Sequence, residues 1–390
     1  MDDTTDKLRG PDGTGATEIS ARLAELIRTE IAAANGLLPF DRFMDLALYA
    51  PGLGYYVAGA VKLGRDGDFV TAPEISPLFG RCLAAQCAEV LERFGGGDLL
   101  EFGAGTGTLA VEVLGALEHL DALPGRYLIL EPSPDLQERQ QTLIRERAPH
   151  LAERCAWLTR LPTALRGVIL ANEVLDAMPV HRFSIRDDGG IDEVFVTERA
   201  GDLREVTAPA RSPGLADAVG ALHAEGLAQA PGYGSEINLR LPPWMKALSP
   251  ALDTGLVLLV DYGYPRPAYY QPDRTMGTLM CHLRHKAHGD PYTHIGLQDI
   301  TAHVDFTAVA EAGVAAGFDL AGFTTQANFL IGCGIDRILS EAPDAFELTQ
   351  GAKQLLLPTI MGERFKVMGL TKGIEEALCG FSIRDLSGRL

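Results

Sequence analysis

The run Leu99-Leu100-Glu101-Phe102-Gly103-Ala104-Gly105-Thr106-Gly107-Thr108-Leu109 constrains this chain more than any other stretch. It reads as a buried strand that ends in a glycine turn and opens a helix. Glycine allows a sharp turn and lets a ligand approach the backbone closely. The next predicted strand, Tyr127-Leu128-Ile129-Leu130-Glu131, ends in a carboxylate. An acid at that place commonly accepts hydrogen bonds from ribose hydroxyls. The glycine spacing is G-x-G-x-G, not the G-x-G-x-x-G of dinucleotide folds. It points away from a pyrophosphate and towards S-adenosyl-L-methionine, a nucleoside with no phosphate to cradle. Glu101, Gly103, Gly105, Gly107 and Glu131 form the expected cofactor-binding set, completed by Asn172 at the exit of a later strand. The competing explanation is a glycine-rich turn in an ordinary α/β domain.

A chain of 390 residues can bury one large core or two modest ones. Its formal net charge of −18 argues against a nucleic-acid partner, whose phosphates need a basic face. Cys82, Cys87, Cys155, Cys281, Cys333 and Cys379 are scattered, with no C-x-x-C pair. They suggest reduced thiols rather than a zinc ribbon or a disulfide framework. No apolar run reaches membrane-spanning length, so no membrane partner is expected. The polar stretch Met1–Thr17 has neither a signal-peptide nor a transit-peptide pattern and is expected to be disordered. These features predict a cytoplasmic protein.

Thr17 could cap a helix through Asn35, with Ile19, Leu23, Leu26, Ile27 and Ile31 as its apolar stripe. Further helices are predicted over Pro39–Leu48, from Ser76-Pro77 to Phe94, from Ser133-Pro134 to Ala148, and over Asp305–Ala316. Apolar runs at 167–173, 255–261, 318–323 and 365–370 suit strands covered on both faces by helices. Val180–Ile185 and Ile191–Thr197 flank Asp187-Asp188-Gly189-Gly190, a hairpin signal. The stretch from 184 to 252 is too long for a simple connection. The predicted fold is α/β, a Rossmann-like sheet with helices on both faces plus an inserted substrate-side lobe. Its parts are a tail (1–17), an N-terminal helical segment (18–95), the cofactor-binding core (96–183), the insertion (184–254) and the rest of the core with substrate-side loops (255–390).

Methyl transfer from a sulfonium is an in-line displacement, for which a protein supplies mainly proximity and alignment. A guanidinium acceptor also needs acids to orient its N–H groups and receive a proton. Asn172, Glu173 and Asp176 follow a strand, where a doubly wound fold places its ligands. If Glu173 opens a helical turn, Asp176 shares its face, making both candidate catalytic acids. The alternative is that they complement a helix N-terminus. His303, beside Asp305, is a candidate general base; the alternative is a structural role, with Asp305 capping the next helix. His282, His285, His288 and His294 precede it, interleaved with Arg284 and Lys286, and no acid or cysteine pattern there specifies a metal. Tyr262, Tyr264, Tyr269 and Tyr270 could wall a substrate channel, stack on a guanidinium or simply anchor a proline-rich loop.

Taken together, the chain resembles the MidA family of S-adenosyl-L-methionine-dependent methyltransferases from about Ile19 to Lys372. The resemblance rests on Phe69-Val70-Thr71-Ala72-Pro73-Glu74-Ile75-Ser76 with Leu78-Phe79-Gly80, the glycine turn, and Asn172-Glu173-Val174-Leu175-Asp176-Ala177-Met178-Pro179-Val180. It rests also on Asp261-Tyr262-Gly263-Tyr264 and on Gln298-Asp299-Ile300-Thr301-Ala302-His303-Val304-Asp305-Phe306. It implies a seven-strand class I methyltransferase fold and, since mitochondrial members assist assembly of respiratory complex I and act on protein arginine, a protein substrate with an exposed arginine. Two departures stand out. Ala104 replaces the proline that often lies between the first two glycines, and a histidine-rich segment, 281–288, replaces one usually rich in arginine. The rival readings are a cofactor-binding assembly protein without turnover and a small-molecule O- or N-methyltransferase.

Overall fold

The glycine turn leaves the middle of a mostly parallel sheet. In the computed structural model, which describes residues 13–58, 71–342 and 345–390, the chain clusters into two units. Among the described residues the larger comprises 71–176, 240–269, 303–342 and 345–390. Its principal strands are β1 (Asp98–Phe102), β2 (Tyr127–Leu130), β3 (Cys155–Leu158), β4 (Leu165–Asn172), β5 (Leu252–Tyr264), β6 (Asp319–Thr325) and β7 (Phe365–Lys372). They lie in the order β3-β2-β1-β4-β5-β7-β6. The first five are parallel, and β7 inserts antiparallel between β5 and β6. From β1 the sheet grows one way through β2 and the other way through β4. A crevice for a ligand opens at such a reversal, outside the carboxyl ends of the strands.

Burial explains the apolar runs. Leu99, Val168, Leu256, Leu258 and Val367 belong to one cluster with Leu83, Leu91, Val113 and Leu114 of the flanking helices Pro77–Arg93 and Thr108–His119. The helix Pro77–Arg93 starts as predicted, with Ser76 Oγ accepting from the backbone N–H of Leu78 at 3.3 Å. Ser133 caps the helix Pro134–Arg147 in the same way. The strand β3 escapes sequence analysis because Cys155-Ala156-Trp157-Leu158 is a short, half-exposed edge with no clean alternation.

The other unit, residues 13–58, 177–239 and 270–302 of those described, is a separate cluster. The segment 270–302 therefore parts from the predicted core, and 71–95 parts from the predicted N-terminal segment. The hairpin His181–Ile185/Ile191–Arg199 forms as expected and is the centre of a five-stranded sheet with Leu38–Pro39, Asp202–Pro209 and Gly234–Ile237. The helix expected from Thr17 runs over Gly13–Ala33, so the predicted tail is already helical from residue 13, while its first twelve residues lie outside the described ones. Extending a formed helix is far easier than nucleating one, so the apolar stripe carries an extra turn upstream. Asn35 and Gly36, both at positive φ, end it. His282 sits on a strand, Met280–Leu283, and Arg284 and His285 form the tight turn into Lys286–His288. The Phe69-Val70 part of the family-like motif lies outside the described residues.

Candidate active site

Every cofactor candidate falls at the carboxyl end of β1, β2 or β4 except Glu101, which lies within β1. Gly103, Gly105 and Gly107 adopt φ of +58°, +55° and +91°, a region that favours glycine. Thr106, inside the turn, donates its hydroxyl hydrogen to Glu74 of the short helix Ala72–Ile75. Glu101 is fully buried, and its Oε2 accepts from Tyr127 Oη at 2.7 Å. Burial pushes its carboxyl up to about 7. It is thus committed to the interior of the sheet just before the turn.

Glu131 follows β2 directly. Its Oε1 accepts from the backbone N–H of Ser133 at 2.9 Å and its Oε2 from Gln140 Nε2 at 3.2 Å. Burial raises its pKa, opposed by these two donors. Each carboxylate oxygen can take a further donor, so the bonds orient the group without saturating it. At the end of β4, Asn172 Oδ1 is buried and has no hydrogen-bond partner among the described residues. A buried polar atom of that kind calls for a donor from outside the chain. A left-handed glycine turn, an oriented carboxylate and an orphaned amide oxygen on neighbouring strands fit a nucleoside.

The acids beyond β4 do not form the predicted helical turn. Residues 173–178 are an irregular bend, and Glu173 takes φ +52°, with its N–H bonded to Val260 O at 2.9 Å. A non-glycine residue in this region is uncommon, and such strain gathers at functional sites. Asp261, near the carboxyl end of β5, replaces the helix as organiser. Its Oδ2 accepts from the N–H groups of Leu175 and Asp176 at 2.9 and 3.2 Å, and its Oδ1 from the N–H of Tyr262 at 2.9 Å. Tyr262 Oη in turn donates to Asp176 Oδ2. Asp261 is wholly buried, and burial, then the charges of Asp176 and Glu173, push its pKa well up.

His303 lies in the same unit, edge-on to Tyr262 (centroids 5.1 Å apart) and stacked on Tyr264 (5.4 Å). Asp305 is not its partner. Asp305 Oδ1 caps the helix Phe306–Ala315 by accepting from Thr307 and Ala308 N–H at 3.0 and 3.2 Å, and its Oδ2 faces Arg266. Lys366 Nζ lies 5.9 Å from the Tyr264 ring centre, and burial lowers its pKa to about 8. Tyr269 and Tyr270 are buried, the latter bonded to Glu236 O, and anchor their loop. Glu74, Gln140 and Asp261 join the candidate site without having been expected there. Asp261 left a signal, an acid ending a buried run; a glutamine within a polar helix left none.

These parts define a class of protein: a nucleoside-binding α/β fold of the class I methyltransferase type, with an acid cluster beside the cofactor turn. A family model described as an S-adenosyl-L-methionine-dependent methyltransferase matches residues 82–324, and the chain belongs to that family, which is the MidA family that its motifs resemble. Among its relatives are the mitochondrial protein arginine methyltransferase NDUFAF7 of Danio rerio, 30% identical over 85% of this chain and 83% of its own length, and its Homo sapiens counterpart, 30% identical over 86% and 80%. A crystal structure of a Burkholderia thailandensis protein bound to S-adenosyl-homocysteine is 41% identical, covers 98% of this chain and 99% of its own, and superposes with a TM-score of 0.92. The cofactor is S-adenosyl-L-methionine, and the chain is a methyltransferase. The cytoplasmic expectation is corrected by the same comparisons, because the curated relatives are named as mitochondrial proteins. No helix among the described residues is long and apolar enough to cross a membrane.

Proposed function

We propose that the methyl acceptor is an arginine side chain of a protein, held by Glu173 and Asp176. The observation that carries this reading is the fixed acid cluster at the ends of β4 and β5, one strand away from the glycine turn. The names of the relatives, protein arginine methyltransferases, point the same way. Bound in the turn, the cofactor supplies a methyl group already activated by a sulfonium. A guanidinium presents a planar fork of N–H donors, and two carboxylates can accept them and align one nitrogen. As the N–CH3 bond forms and the C–S bond breaks, the electron pair stays on sulfur and the nitrogen loses a proton. Glu173 and Asp176 are the groups placed to receive that proton. In this reading Gly103, Gly105 and Gly107 shape the cofactor turn, backed by Glu101. Glu131 receives the ribose hydroxyls, Asn172 bonds to the cofactor, and His303 borders the acceptor through Tyr262. The test is to incubate the protein with isotopically labelled cofactor and a fractionated lysate, then hydrolyse the labelled material to amino acids. Label in methylarginine supports the reading; label confined to metabolites, lysine or carboxylates removes it.

A further inference from the structure

The helix Pro134–Arg147 is polar along most of its length, yet Gln140 within it is completely buried. All of its amide is used. Trp157 Nε1 on β3 donates to Gln140 Oε1 at 2.8 Å, while Gln140 Nε2 donates to Gly105 O at 2.9 Å and to Glu131 Oε2 at 3.2 Å. We propose that Gln140 is a positioning residue for the cofactor, anchored on the Gly105 carbonyl and aiming the Glu131 carboxylate at the ribose, with Trp157 setting the direction of its amide. The proposal rests on Glu131 as the group that takes the ribose.

The chemistry of the three partners allows one arrangement only. An indole N–H is a donor and never an acceptor, so the amide oxygen must face Trp157. The two amide hydrogens then point at two acceptors, a carbonyl of the turn and an oxygen of Glu131. A flipped amide would set N–H₂ against N–H and oxygen against oxygen. The helix can come this close because Gly107 has no side chain: a Cβ there would lie 3.1 Å from Gln140 Cα. One turn earlier on the same face, Gln137 Nε2 donates to Glu131 O at 2.6 Å. A single helix face thus holds Glu131 by its backbone and by its carboxylate. Burial strengthens these bonds and makes each unreplaced one costly.

The experiment measures equilibrium binding to the full chain of S-adenosyl-homocysteine and of its 2′,3′-dideoxyribose analogue. Gln140→Leu should weaken S-adenosyl-homocysteine about 10-fold, the scale of one buried hydrogen bond. It should leave the dideoxy analogue within about two-fold, because that ligand has no hydroxyls for Glu131 to hold. Trp157→Phe removes the donor while keeping a smaller aromatic ring on β3, and should show the same selectivity with a smaller loss. Gln140→Glu should be worse than Gln140→Leu, since it sets a carboxylate against Glu131 and a carbonyl. Equal losses for both ligands would make Gln140 a structural residue and overturn the proposal. Glu131→Gln is measured beside them. If it leaves S-adenosyl-homocysteine binding unchanged, the ribose role of Glu131 falls and the proposal with it. If it weakens binding while Gln140→Leu and Trp157→Phe do not, only the role of Gln140 falls. Should Gln140→Leu fail to fold by circular dichroism, Trp157→Phe alone decides the matter.

Discussion

Asp261 holds Asp176 by its backbone: the carboxylate near the end of β5 accepts the Asp176 N–H at 3.2 Å and, through its other oxygen, the N–H of Tyr262 at 2.9 Å. Tyr262 closes the loop with its hydroxyl on Asp176 Oδ2. One buried acid thus fixes both members of a side-chain hydrogen bond.

Asp261→Asn keeps the shape of this hub but replaces an acceptor oxygen by N–H₂. At least one backbone N–H then faces a donor, and the fold should lose about 1–3 kcal/mol, the penalty for an unsatisfied buried group. Thermal unfolding reads that loss. Turnover should fall as well, with S-adenosyl-homocysteine affinity kept within a few-fold. Wild-type stability in the variant would show that the carboxylate is not the organiser of the bend.

Glu173→Gln and Asp176→Asn separate acceptor chemistry from cofactor binding. Each should lower turnover about 100-fold or more, the scale for a positioned acid or base, and leave calorimetric binding of S-adenosyl-homocysteine nearly intact. Tyr262→Phe, which removes a donor to Asp176 but no charge, should cost about 10-fold. Parallel losses of binding and turnover would assign these residues to the cofactor side.

Glu101 makes stability depend on pH. Its carboxyl is pushed from an ordinary 4.5 up to about 7 by burial, so the folded state holds the proton more tightly than the unfolded state. The contribution of this group is therefore largest below about pH 4.5 and is lost as pH rises to about 7. Glu101→Gln can still accept from Tyr127 and does not titrate. Relative to the parent, it should gain up to about 3 kcal/mol between pH 4.5 and 8, from the size of the shift. Denaturant unfolding at the two pH values gives the difference; a constant gap would refute it.

Asp305→Ala tests whether the acid beside His303 serves the helix or the reaction. Losing its two cap bonds should destabilise the protein by about 1–2 kcal/mol. Turnover measured well below the melting temperature should stay close to the parent value. A large loss of turnover with unchanged stability would restore Asp305 as a partner of His303.

Much of this was legible in the chain because it depends on neighbours in sequence. The apolar runs of β1, β2, β4, β5 and β7, the Ser76 and Ser133 caps, the Asp187–Gly190 hairpin and the glycine turn each state their own local conformation. Because the strands are nearly all parallel, their carboxyl ends share one edge, so Glu131, Asn172 and the glycines could be gathered into one site from sequence order alone.

The tertiary structure decided the rest. Glu173 opens no helix because its N–H bonds to Val260 on the neighbouring strand, and Asp261 draws the N–H groups of Leu175 and Asp176 towards itself. Residues 270–302 leave the core for the other unit, and Gln140, in a helix whose composition announces solvent, turns into the sheet to meet Trp157 and Glu131. Local sequence determines the backbone's preferred path, since steric and capping effects reach only a few residues. Which polar group answers which is settled by partners 9 residues distant for Glu131 and Gln140 and 85 for Asp176 and Asp261. Only folding brings such partners within hydrogen-bond range, and burial then makes leaving any one of them unanswered too costly.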